Sequence, residues 1–174
     1  MRTTGTRFRE LLNFTAGNAR GFTIVELVVV VGILTILLSI ATMQFNSYST
    51  KSAIESQTRT VLSDLVAVRN EALFQKRRRA VKLTSTSFWV YSSAATTGTP
   101  VQRKTLRHPV LLAGLPDPLV FNGRGIIEGI DSGAICIEPA GNAGVIDSIV
   151  LGTTHLQTGK RNGTECQIDD IETR

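Results

Sequence analysis

Few residues in this chain have chemistry to offer, and their positions limit what that chemistry can be. Glu26 stands at the edge of an uncharged stretch, 27–45, in which most positions are Val, Ile or Leu. A carboxylate there costs a few kcal/mol unless it finds a partner, and the partner it calls for is a cation. Cys136 and Cys166 are an even pair of thiols that can oxidise to one disulfide. Arg124 lies between two glycines, and Lys160 and Arg161 lie in Gly159-Lys160-Arg161-Asn162-Gly163. Such cations can touch phosphates, but only through non-specific, salt-sensitive attraction, and Arg124 lacks the spacing of a phosphate loop. His108 and His155 stand alone, without metal-ligand spacing or a nucleophile signature. No catalysis, metal or cofactor is therefore expected. Asp169, Asp170 and Glu172 could hold a cation, but they read as a frayed acidic tail.

These residues need elements to position them. At 1.5 Å per residue, about 20 apolar residues in a helix cross a hydrocarbon core of roughly 30 Å. The helix has reason to run on past that core. No proline occurs before Pro100, and Gly32 is the sole glycine between Phe22 and Gly98. Beyond Asn46 the pattern turns amphipathic, with Ile54, Val61, Leu65, Val68 and Ala72 at helical spacing. The spacing predicts one helix over 22–79, transmembrane over 22–45 and amphipathic over 46–79. Gln75-Lys76-Arg77-Arg78-Arg79 would end it, the cations complementing the negative end of the dipole or, in a second reading, binding phosphate.

From residue 80 onward short strands and turns alternate. Strands are expected at 80–84, 87–91, 101–106 (an edge), 119–121, 134–138 and 147–151. Trp89 and Tyr91 would be sheet aromatics. The proline-bearing stretch 109–118 reads as irregular, and Asn122-Gly123 as a turn. Segments 155–157 and 165–168 would flank a last turn at 159–163. The expected fold class is α+β: a long N-terminal helix followed by a head, 80–174, of two small antiparallel sheets.

The formal charge of +5 owes +3 to Arg2, Arg7, Arg9 and Arg20 against Glu10, all ahead of the apolar run. The basic balance thus says little about nucleic acid. Instead it orients the chain, keeping the N-terminal end cytoplasmic and the rest on the outer side. In that oxidising space a Cys136–Cys166 disulfide is the default, with two buried free thiols as the alternative.

Gly21-Phe22-Thr23-Ile24-Val25-Glu26 followed by an apolar run resembles the class III signal of type IV prepilins and type II secretion pseudopilins. The resemblance implies a pilin-like fold and a leader, 1–21, that a prepilin peptidase removes between Gly21 and Phe22. It also implies methylation of the Phe22 amine, and pairing of Glu26 with that amine on a neighbouring subunit. Partners would be other pilin subunits, the peptidase and the inner membrane. Major pilins usually carry a proline where this chain has Met43. Phe121-Asn122-Gly123-Arg124-Gly125, with 149–151 and the Gly-Lys-Arg segment, is similar to minor pilin heads of the GspH/FimT type. That similarity favours a minor subunit of a type IV pilus, or the H-type pseudopilin of a type II secretion system. In some relatives a late Gly-Arg-x-Arg turn binds DNA; here Lys160, Arg161 and Arg124 are the candidate contacts, beside the plainer reading of a solvated turn.

Two readings compete. A plain single-span anchor would leave Glu26 unexplained. An ordinary secretory signal, cut after Ser39-Ile40-Ala41, would release a soluble domain starting near Thr42.

Overall fold

The computed structural model describes residues 21–141 and 146–173. The leader, apart from Gly21, lies outside the described residues. The chain forms two compact units that divide after Gln44. One long helix, α1 (Ile24–Gln75), contributes to both. In the first unit the apolar side chains of α1 from Ile24 to Ile40 are exposed. The helix is long and apolar enough to cross a membrane, with a mean hydropathy of 2.8 over its best window.

α1 ends four residues earlier than the sequence predicts, and the reason is a C-cap. Lys76 adopts φ 50°, the left-handed region. Its N–H bonds to the Leu73 carbonyl, and the Arg77 N–H reaches back to the Ala72 carbonyl. That pair of bonds is a Schellman motif with lysine in the place glycine usually takes. The cations therefore do not sit in the last turn. Arg79 already belongs to strand β1 (Arg79–Thr84), where it is buried and donates to Glu71 and Gln75 at 2.6 Å each.

The second unit is the head. Strands β1, β2 (Ser87–Tyr91), β3 (Gln102–Thr105) and β5 (Leu119–Phe121) form one antiparallel sheet in the order β3-β2-β1-β5. Strands β4 (Val110–Ala113), β6 (Ser132–Ile137), β7 (Ser148–Gly152), β8 (Leu156–Arg161) and β9 (Ile171–Thr173) form a second, in the order β4-β6-β7-β8-β9. The expected α+β class with two antiparallel sheets is what is found.

Strand alternation builds the core. Val81, Leu83, Phe88, Val90, Leu119 and Phe121 from the first sheet meet Ile135, Ile137, Ile149 and Leu151 from the second. The α1 stripe Ile54, Val61, Leu65, Val68 and Ala72 fills the space between them. Polar clamps hold this part of the helix. Gln57 bonds both the N–H and the carbonyl of His108, and Lys104 reaches Asp64 at 2.6 Å. On the opposite face of the second sheet, Ala134, Cys136, Val150 and Ile171 form a smaller core.

Four expectations fail here. Residues 109–118 contain β4, because Pro109 and Pro116 flank the strand instead of interrupting it, and Val110 faces Ile137 in register. Residues 159–161 are strand, not turn. Gly159 fits because Ile171 occupies the space a Cβ would need. The acidic tail is not frayed either. Asp169 and Asp170 lie in a short 3-10 turn, and Glu172 lies in β9, which closes the sheet edge. No strand forms at 165–168; Cys166 is instead drawn onto the small core.

Candidate functional site

Thr23 is the N-cap of α1: its hydroxyl accepts from the Glu26 N–H at 3.1 Å, and its carbonyl accepts from the Leu27 N–H. Thr23-Ile24-Val25-Glu26 is thus the frame of a capping box, a signal the dipole argument alone missed. Glu26 lies in the first turn, where the dipole favours an acid. Its carboxylate has no cationic partner among the described residues. Phe22, one residue before the cap, is 79% exposed. An amine created at Phe22 would therefore sit at the open, positive end of the helix, one turn from an unpaired carboxylate.

Cys136 and Cys166 are bonded, closing a sequence separation of 30 residues. The disulfide fastens the 162–170 segment across the outer face of the second sheet, above Ala134 and Val150.

The three candidate phosphate-contacting cations part company. The Arg161 side chain is wholly buried. It donates to Glu138 at 2.8 Å and to the Ile137 carbonyl at 3.1 Å, while its own N–H is held by Asp147 Oδ1. It cannot be offered to solvent, because β8 puts it on the face that the 162–170 segment covers. Lys160, its neighbour on the strand, points to the other face opposite Glu172. Arg124 is exposed. Asn122 Oδ1 accepts from the N–H groups of Arg124 and Ile126, an Asx arrangement that shapes the turn. A Cβ on Gly123 would stand 2.8 Å from the Lys76 carbonyl carbon, and one on Gly125 would stand 2.8 Å from Leu73 Cγ. Both glycines of Phe121-Asn122-Gly123-Arg124-Gly125 are therefore contact points with the end of α1. Of the histidines, His108 is gripped by its backbone, and the ring of His155 lies over Gly152.

A capped apolar helix that begins just after a glycine, followed by an antiparallel two-sheet head, defines a pilin-like fold. Residues 17–42 match the prokaryotic N-terminal methylation motif. The fold is similar to that of the type IV minor pilin FimU of Pseudomonas aeruginosa strain PAO1: TM-score 0.53 at 14% identity, over 64% of this chain and 91% of that one. No curated protein matches the sequence. The chain thus joins a prokaryotic N-terminal methylation motif to a pilin-like fold.

Proposed function

We propose that the chain is made as a prepilin, cut between Gly21 and Phe22 by a prepilin peptidase, and methylated on the new Phe22 amine. It then acts as a structural subunit without catalysis of its own. The observation that carries this reading is the unpaired Glu26 carboxylate one helical turn from Phe22, at a cleanly capped helix start. Before assembly the helix is a single span of the inner membrane, N-terminus inside and head in the periplasm. During assembly apolar helices pack together, and Glu26 pairs with the Phe22 amine of a neighbour, exchanging two lone charges for one charge-assisted bond.

The filament is best read as a type IV pilus, with the subunit in its initiating or tip complex. The similarity of the fold to a type IV minor pilin supports this choice over an H-type pseudopilin. Mass spectrometry of the chain produced with its processing enzyme tests the reading. Methyl-Phe22 at the N-terminus is expected. An intact leader, or a start at Thr42, would overturn it.

A further inference from the structure

Where the head begins, a groove of about 370 Å³ runs along α1 between Phe45, Tyr48, Ser49, Ser52, Ser56 and Arg107. Its hydroxyls differ from the others on the helix. Those of Thr35, Ser39, Thr42, Thr50 and Thr60 all donate to carbonyls of their own helix. Those of Ser49, Ser52 and Ser56, three and four residues apart on one face, make no side-chain hydrogen bond among the described residues. The Arg107 guanidinium, exposed beside them, has no hydrogen bond or ion pair among the described residues either.

The acids near the groove are already taken. Farther along α1 it continues for about 250 Å³ past Gln57, Thr60, Asp64 and Lys104. There Asp64 takes Lys104 at 2.6 Å, and Glu55 takes Arg59 at 2.8 Å. The backbone on both sides of Arg107 is fixed. The Leu106 N–H bonds to the Thr86 carbonyl, and Gln57 grips both backbone groups of His108. A held backbone thus presents an unmatched cation to a row of unmatched hydroxyls.

Donors in excess call for a ligand rich in acceptors, and a cation among them calls for an anion. A guanidinium beside hydroxyls suits a phosphate group. The sequence indicates which phosphate is at hand. The uncharged run ends at Phe45, and Lys51 is the first charged residue after Glu26. Lys51 has no ion pair among the described residues. Phe45 and Tyr48, both exposed, stand between the run and this cation. Aromatics and then cations at the end of an apolar run are groups that suit the lipid headgroup layer.

We propose that this groove binds the phosphodiester of an anionic phospholipid. Arg107 meets the phosphate charge, and the hydroxyls of Ser49, Ser52 and Ser56 donate to its oxygens. Lys51 adds attraction toward an anionic surface. Bound there, the lipid gives the head a grip on the bilayer in addition to the span. The inference rests on the reading of the chain as a membrane-anchored subunit, and it concerns the state before assembly, when lipid adjoins this stretch of α1.

The test uses the full chain in detergent micelles carrying phosphatidylglycerol, phosphatidylcholine, or no lipid but added glycerol phosphate. Native mass spectrometry, read as a titration, counts what stays bound. One phosphatidylglycerol is expected on the wild type. Its affinity should fall about tenfold in Arg107→Gln, the scale of a hydrogen bond to a charged group. It should fall about threefold in Ser52→Ala/Ser56→Ala, which keeps every charge. Arg124→Gln, which removes the same charge beside the far end of α1, should leave it unchanged. Wild-type affinity in Arg107→Gln, or an equal loss in Arg124→Gln, would overturn the site. Phosphatidylcholine held as tightly would reduce it to acyl-chain adhesion, and glycerol phosphate held as tightly would make it a site for free anions; either result overturns the lipid assignment. Thermal melts of each variant separate a lost site from a lost fold. Flotation with phosphatidylglycerol vesicles checks the premise. A chain that floats without these differences keeps its anchor and loses the site, whereas a chain that does not float loses both.

Discussion

Arg161 donates from Nη1 to Glu138 Oε1 at 2.8 Å with no exposure of its side chain, while its Nε lies 3.7 Å from Asp147 Oδ2. One buried cation thus joins the ends of β6 and β8 to the start of β7. Removing it strands Asp147, which is itself buried. Arg161→Ala should cost about 3–5 kcal/mol, whereas Lys160→Ala one residue earlier should stay within about 0.5 kcal/mol. Thermal melts of the two variants decide the matter; equal melting temperatures would remove the buried clamp.

The cap of α1 supports a second pair of substitutions. Lys76 takes up left-handed backbone with a side chain, at a cost that glycine escapes. Lys76→Gly should gain up to about 1 kcal/mol, the relief being partly offset by the freer unfolded chain. Gly123→Ala should lose about 1–3 kcal/mol, because the new methyl meets Lys76 backbone that cannot swing aside. Denaturant midpoints measure both, and a neutral Gly123→Ala would show that the turn does not bear on the helix end.

The disulfide closes a loop worth about 3 kcal/mol on the chain-entropy account. Cys166→Ser should lower stability by that order and should first loosen 162–170, whose small core has few other apolar contacts. Limited proteolysis should then cut in this segment before any other. Cleavage elsewhere first would show that β9 alone secures the chain end.

Glu26 can act through its charge or through the geometry of its turn. Thr23 supplies the cap hydroxyl whatever stands at position 26. Glu26→Gln should therefore keep the helix start and membrane insertion yet lose incorporation, as Glu26→Val should. Thr23→Ala should cost about 1 kcal/mol of local helix stability and keep incorporation. Sheared-filament fractions report the outcome, and incorporation of Glu26→Gln at the wild-type level would end the pairing account.

Much of the fold was readable because its signals are local. The apolar run and the stripe from Ile54 to Ala72 announce a helix, and Val81, Phe88 and Val90 announce pleated strands with one buried face. The errors fall where a distant residue decided the conformation. β4 exists because β6 offers Val110 and Leu112 a partner edge. Gly159 is strand because Ile171 fills the gap beside it. The Gly-Lys-Arg segment resembled a turn because neither Glu138 nor Asp147, the acids that draw Arg161 inside, is near it in sequence.

The linear chain by itself determined a capped apolar helix with an acid in its first turn, a cysteine pair and a strand-rich head. Each of these depends on hydropathy period, charge order or composition, which neighbouring residues set. The tertiary structure alone decided which cations face water. Burial and ion pairing depend on groups brought together from remote positions, so Arg161 became an internal clamp while Arg124 was held at the end of α1.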